Sequence, residues 1–146
     1  MTGEKGKLII VLDTDIQRGR EIIKLLNKHG FITLYSRNIT TAEEYCSEYS
    51  PDLLFIISSF DINSVLQFSK RFKAFKPSCK ILLSSVADIS NILSECFKNG
   101  IDDYISNPLN QYELIARIKK NLSIIGCNSF IENQGISLCK LQKYVI

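Results

Sequence analysis

Apolar and polar positions alternate along this chain in blocks. Two blocks are continuous apolar runs, Leu8-Ile9-Ile10-Val11-Leu12 and Leu53-Leu54-Phe55-Ile56-Ile57. A strand that is apolar at every position is buried on both faces, as in the middle of a parallel sheet. Phe31-Ile32-Thr33-Leu34-Tyr35 is short, aromatic and β-branched, and predicts a strand nearer the sheet edge. Lys80-Ile81-Leu82-Leu83-Ser84-Ser85 predicts a fourth strand and Asp102-Asp103-Tyr104-Ile105 a short fifth.

The segments between these runs carry helical spacing. Thr14 and Gln17 stand at capping-box distance before a stripe of Ile16, Ile22, Ile23 and Leu26, with Gly30 as the stop. Thr40 and Glu43 repeat the capping-box spacing, and Ala42, Tyr45, Cys46 and Tyr49 follow as an i, i+3, i+4, i+7 stripe. Asp61 and Asn63 are caps for a third helix with Val65, Leu66 and Phe72 inside. Asp88 caps a fourth, with Ile89, Ile92, Leu93, Cys96 and Phe97 inside and Gly100 at its end. A fifth follows Ser106-Asn107-Pro108 and buries Leu114, Ile115, Ile118, Leu122 and Ile125.

Strict strand–helix alternation predicts an α/β fold with right-handed crossovers and a parallel sheet covered on both faces. At this size the expected solution is a flavodoxin-like three-layer α/β/α sandwich, its five strands in the order 2-1-3-4-5. The pattern holds over residues 1–125. Residues 126–146 break it, and read as a linker with two short strand-like runs, Gly135-Ile136-Ser137-Leu138 and Tyr144-Val145-Ile146, the possible start of an output domain.

Composition narrows the function classes. The 146 residues favour one domain, and 45% hydrophobic with 23% charged residues is an ordinary globular balance. A net charge of +3, with Lys and Arg spread along the chain and no basic helix, predicts no nucleic-acid binding by this chain itself. No apolar run approaches the roughly 18 residues that span a bilayer, so no membrane partner is expected. The Met1–Lys7 start lacks a signal-peptide pattern, and five widely spaced cysteines without a CxxC suggest reduced thiols and a cytoplasmic setting rather than disulfides or zinc.

In an open α/β sheet, chemistry sits at the C-terminal ends of the central strands. Here the third strand ends in Ile57, which cannot donate, accept, ionise or bind metal. Asp13, after the first strand, reads best as a helix N-cap, with a polar-pocket role as the alternative. Ser84 reads as a strand-end hydroxyl, Asp61 as a cap, and the single histidine, His29, as a structural residue at a helix end. Phe68, Phe72 and Phe75 have near-helical spacing and read as core or half-buried surface.

Pro51-Asp52-Leu53, Asn99-Gly100-Ile101-Asp102-Asp103-Tyr104, Asn107-Pro108 and Glu113-Leu114-Ile115-Ala116-Arg117-Ile118 together resemble the receiver domain of bacterial response regulators over residues 7–125. The last segment is similar to the OmpR/PhoB subfamily in particular. The resemblance implies a CheY-like pocket in which an acidic pair holds Mg²⁺, an aspartate accepts a phosphoryl group, a Lys balances charge and a hydroxyl binds an oxygen. Those positions fall here on Leu12 and Asp13, on Ile57, on Asn107 and on Ser84, with the switch aromatic at Tyr104. The expectation is a pseudo-receiver with no catalysis, no cofactor and no metal. The resemblance further implies a homodimer through the fourth helix, fifth strand and fifth helix, with Asp103, Glu113, Arg117 and Lys119 as its charges and Leu93 as its apolar centre. Outputs consistent with it are a C-terminal DNA-binding domain controlling transcription, or an adaptor role as in PleD-like diguanylate cyclases. A receiver still phosphorylated through a remodelled pocket is a third possibility.

Overall fold

The computed structural model describes residues 6–58 and 61–123. In chain order the elements are β1 (Leu8–Asp13), α1 (Ile16–Lys28), β2 (Ile32–Ser36), α2 (Ile39–Glu48), β3 (Leu53–Ser58), α3 (Ile62–Phe75), β4 (Lys80–Ser85), α4 (Leu93–Lys98), β5 (Asp103–Tyr104) and α5 (Gln111–Asn121). The strands form one parallel sheet in the order β2-β1-β3-β4-β5. The expected flavodoxin-like topology is therefore present, with β2 on an edge. Ile125 and residues 126–146, with the expected linker and its two strand-like runs, lie outside the described residues.

The doubly apolar strands supply two cores. Ile10, Leu12, Leu54, Ile56, Ile81 and Leu83 pack with Ala42 and Cys46 of α2, Phe68 and Phe72 of α3 and Cys96 of α4. Ile9, Val11, Leu53, Phe55, Ile57 and Leu82 pack with Ile22 and Leu26 of α1 and Leu114, Ile115 and Ile118 of α5. Period-two alternation along each strand sorts its residues between the two layers.

The acidic punctuation holds the N-terminal edge of the sheet. The Asp52 carboxylate accepts from the Leu8 N–H at 2.8 Å, while Asp52 N–H donates to the Leu8 carbonyl, also at 2.8 Å. The Asp102 carboxylate accepts from the Ile81 N–H at 2.8 Å and from Lys73 Nζ at 2.6 Å. Each Asp thus satisfies a strand-end donor that has no ladder partner. Gly30 and Gly100 close α1 and α4 with φ of +91° and +98°, as their positions after the helical stripes predict.

Several helix starts differ from the sequence expectation. Asp15 rather than Thr14 caps α1, accepting from the Arg18 N–H at 3.1 Å, which leaves Asp13 as the last residue of β1 instead of a cap. Asn38 rather than Thr40 caps α2, accepting from the Thr41 N–H at 2.8 Å. In each case an Asx residue near the Ser/Thr candidate takes the cap, Asp15 one position after Thr14 and Asn38 two before Thr40, and Asx is at least as strong a cap. Asp61 caps α3 as expected. The fourth helix opens with a separate 3-10 turn, Ser90–Ile92, so α4 itself is six residues long. Its Phe97 is 48% exposed rather than inside. Phe68 and Phe72 stack in the core, whereas Phe75 is exposed. The fifth strand keeps only Asp103–Tyr104.

Candidate functional site

Three strand ends meet at the C-terminal edge of the sheet. Asp13 of β1 is in register with Ile57 of β3, and Ile57 is in register with Ser84 of β4. All three are buried, with Asp13, Ile57 and Ser84 at 0% exposure. Asn107 arrives from the loop after β5 through a cis Asn107–Pro108 peptide. Its Nδ2 donates to Ser84 Oγ at 2.7 Å and to the Ser85 carbonyl at 2.9 Å. The structure thus brings Asp13, Ile57, Ser84 and Asn107 to one edge of the sheet. Leu12 is different: alternation along β1 turns its side chain into the core under α2 and α3, on the opposite layer from Ile57.

Asp13 is enclosed by groups that the sequence reading missed. Arg18 holds it bidentately, Nε to Oδ2 at 2.8 Å and Nη2 to Oδ1 at 2.7 Å. The Asp15 N–H gives Oδ1 a third hydrogen bond at 3.0 Å. Tyr35 Oη donates to the Asp13 carbonyl at 2.7 Å, and burial pushes the Tyr35 phenol pKa up. The hydrogen bond to Asp13 raises the Arg18 pKa above its ordinary value against the opposing effect of burial. The available signal was positional: a carboxylate at a strand end and a guanidinium on the third residue of the next helix.

These residues do not fit Mg²⁺. The ion wants several oxygens in octahedral array and keeps its water reluctantly. Here both oxygens of the buried carboxylate are already occupied by a guanidinium. Among the described residues no group of three His, Cys, Asp or Glu stands together as a metal set. Beside the site a cleft of about 420 Å³ opens between α1 and α5, lined by Arg18, Ile22, Leu25, Asn107, Pro108 and Leu114 among others.

The second candidate region is the face of α4, β5 and α5. Asp103 is its hub: Arg117 Nη1 lies 3.2 Å and 3.3 Å from its two oxygens, and Asn121 Nδ2 donates to it at 3.0 Å. Lys120 Nζ is 3.7 Å away, and Arg117 Nε also donates to Glu113 at 3.0 Å. Burial pushes the Asp103 carboxyl pKa up, but the Asn121 and Tyr104 N–H hydrogen bonds and the Lys120 and Arg117 charges outweigh it and hold the group below the usual range. Asp103 and Arg117, expected as charges of a dimer face, thus pair with each other within one chain. Lys119 instead lines a second cleft between α1 and α5, distinct from the one beside Asn107, with Lys28, His29 and Ile115, one helical step away from the Asp103 side. Leu93 is half-buried and packed into the core, so the exposed apolar residue of α4 is Phe97. Tyr104 is half-buried, and burial raises its pKa.

Comparison with known proteins places this geometry. No family model matches the chain. It is 27% identical over 138 residues to the phosphate regulon transcriptional regulatory protein PhoB of Klebsiella pneumoniae, covering 91% of this chain and 60% of that protein. It is 25% identical over 111 residues to the swarming motility regulation protein RssB of Serratia marcescens, covering 76% of this chain and 51% of the relative. The chain thus spans about 60% of the length of the PhoB relatives it matches. Among solved structures, an orphan response regulator of H. pylori superposes with a TM-score of 0.74 at 27% identity, covering 82% of this chain and 98% of that one. An atypical orphan response regulator described as having a phosphorylation-independent regulatory mechanism gives a TM-score of 0.71 at 27% identity, covering 80% and 95%.

Proposed function

We propose that this chain, a CheY-like response-regulator receiver domain similar at low identity to the PhoB type, carries its signal without accepting a phosphoryl group. The observation that supports this reading is the register row Asp13–Ile57–Ser84. Its central position, where the resemblance calls for a nucleophilic carboxylate, holds a fully buried isoleucine packed among Val11, Phe55 and Ile105. An alkyl side chain offers no lone pair to phosphorus. The cation position holds Asn107, whose amide is bonded to Ser84 and Ser85 instead of a ligand. The atypical orphan regulator of similar fold, described as phosphorylation-independent, favours the same reading.

Without switch chemistry, function rests on a surface. The domain acts as a dimerisation and regulatory module through α4, β5 and α5, with a transcriptional output delivered by a C-terminal DNA-binding domain. The exposed Phe97 of α4 supplies the apolar contact at that face in place of Leu93. The Asp103–Arg117–Glu113 set is satisfied within each chain and sets register more than affinity, since such pairs contribute only about 0–1 kcal/mol each.

The test is to incubate the protein with acetyl phosphate and Mg²⁺ and measure its intact mass. The expected result is no change, and a gain of one phosphoryl group overturns the reading. For the dimer, sedimentation at tens of micromolar without phosphate analogue is expected to show self-association that Phe97→Asp abolishes. A strict monomer at that concentration overturns the dimer arm alone.

A further inference from the structure

We propose that Arg18 is a built-in counter-ion: it does for Asp13 what a bound divalent cation would do, so the pocket excludes metal and holds one arrangement whether or not ions are present. This rests on the phosphate-independent reading of the same pocket and adds the reason the pocket is stable without ligand.

The construction begins in the sequence. Asp13 ends β1 and Asp15 caps α1, its side chain fixing the Arg18 N–H at 3.1 Å. That cap sets the first turn of the helix, and residue 18 is then directed back over the strand end. Nε and Nη2 of Arg18 match the two Asp13 oxygens at 2.8 Å and 2.7 Å, the fork geometry in which a guanidinium neutralises a carboxylate most completely. The Asp13 side chain has no exposure and that of Arg18 keeps 28%. A metal ion reaching Asp13 would have to strip away this guanidinium and leave its charge stranded at the site, which is costly at a buried position.

The neighbouring elements brace the pair. Tyr35 of β2 lies across the first turn of α1 to reach the Asp13 carbonyl. Gly19 makes this possible, because a Cβ there would fall 2.3 Å from Tyr35 Cε1. On the other flank Asn107 ties Ser84 Oγ to the loop that leads into α5. The carboxylate and the hydroxyl at this edge are therefore both engaged by the chain itself.

The experiment uses ¹⁵N-labelled full chain titrated with millimolar Mn²⁺. In the wild type, no localised paramagnetic broadening is expected at the Asp13, Ile57 or Ser84 amides, and the melting temperature is unchanged by millimolar Mg²⁺. Arg18→Met frees the carboxylate, so Mn²⁺ broadening is expected to appear around Asp13, to be competed by Mg²⁺, and to vanish in Asp13→Asn/Arg18→Met. Broadening at Asp13 in the wild type overturns the proposal, as does a folded Arg18→Met that stays unaffected by Mn²⁺. If Arg18→Met does not fold, the double variant decides. It folds if Arg18 acts on the Asp13 charge, and its failure to fold overturns the proposal by assigning Arg18 to packing alone. A phosphoryl mass gain overturns the underlying reading, whereas metal binding with no mass gain overturns only the counter-ion.

Discussion

Ile57→Asp is the substitution that puts an acid back at the centre of the register row, and its cost follows from the surroundings. Ile57 is fully buried in the layer under α1 and α5. Removing its side chain from that core forfeits about 1.5–3 kcal/mol of burial. The new carboxylate would stand about 4.8 Å, one strand spacing, from Asp13. Against an unpaired Asp13 the repulsion would be about 3 kcal/mol at an effective dielectric of about 20. Arg18 offsets most of that, which leaves desolvation of the new charge as the main addition. The expected loss at neutral pH is about 3–5 kcal/mol, a large share of the ~5–15 kcal/mol that holds a domain of this size.

The charge part of that loss has a pH signature. Burial raises the folded-state pKa of the introduced group above its unfolded value of about 3.9. The folded state then binds more protons than the unfolded state between those two values, so the variant loses stability as pH rises through that window and recovers below it. Ile57→Asn removes the same apolar volume without a charge and serves as the control. Denaturant unfolding of both variants, followed by circular dichroism from about pH 4 to about pH 8, reads the difference directly. Equal stability of the two variants at neutral pH, or a flat pH profile for Ile57→Asp, would refute the reasoning. The variant is also expected to gain no phosphoryl group from acetyl phosphate, because Asn107 and the Arg18-bound Asp13 supply neither the free cation nor the metal site.

Three further outcomes follow from the same structure. Asp103, held below the usual carboxylate range, contributes stability that is present above its unfolded pKa of about 3.9 and lost as pH falls through its lower folded value; Asp103→Asn is expected to flatten the acid limb of the unfolding profile, and an unchanged limb would place that dependence elsewhere. Burial pushes the Cys46 and Cys79 thiols up to about 11 and about 12, so peptide mapping after iodoacetamide treatment at neutral pH should find both unmodified in the native protein and modified only in denaturant. Asp52→Ala orphans the Leu8 N–H at the start of β1 and is expected to cost about 1–3 kcal/mol in chemical denaturation, whereas a neutral effect would show that water replaces the carboxylate there.

Comparison of the chain with its structure separates two kinds of information. Periodicity carried the fold, because burial on both faces demands apolar residues at every strand position and burial on one face demands a helical stripe. That is why Leu8–Leu12 and Leu53–Ile57 were legible as central strands of a parallel sheet, with the order β2-β1-β3-β4-β5 expected as the common solution at this size. It also made Ile57 legible as an apolar residue at a position of chemistry. Cap choice was less legible: Asp15 and Asn38 each compete with a Ser/Thr neighbour, and only the path of the chain decides which side chain reaches the free N–H groups.

The partners of a group were set by the tertiary structure alone. Asp13 alone reads as a helix cap before it reads as a pocket acid, and the approach of α1 makes it the buried partner of Arg18 instead. Phe97 and Leu93 stand four residues apart on α4 and both fit one apolar stripe, yet Leu93 is half-buried against the core and Phe97 is exposed, a difference set by how far the core reaches along this short helix. Likewise Arg117, Lys120 and Asn121 converge on Asp103 while Lys119 faces α1, a division set by how α5 packs. Hydrophobic pattern is a one-dimensional record of burial and can be read from the chain. Which charge meets which depends on the angle and phase of packed elements, and these arise only once the two cores have closed.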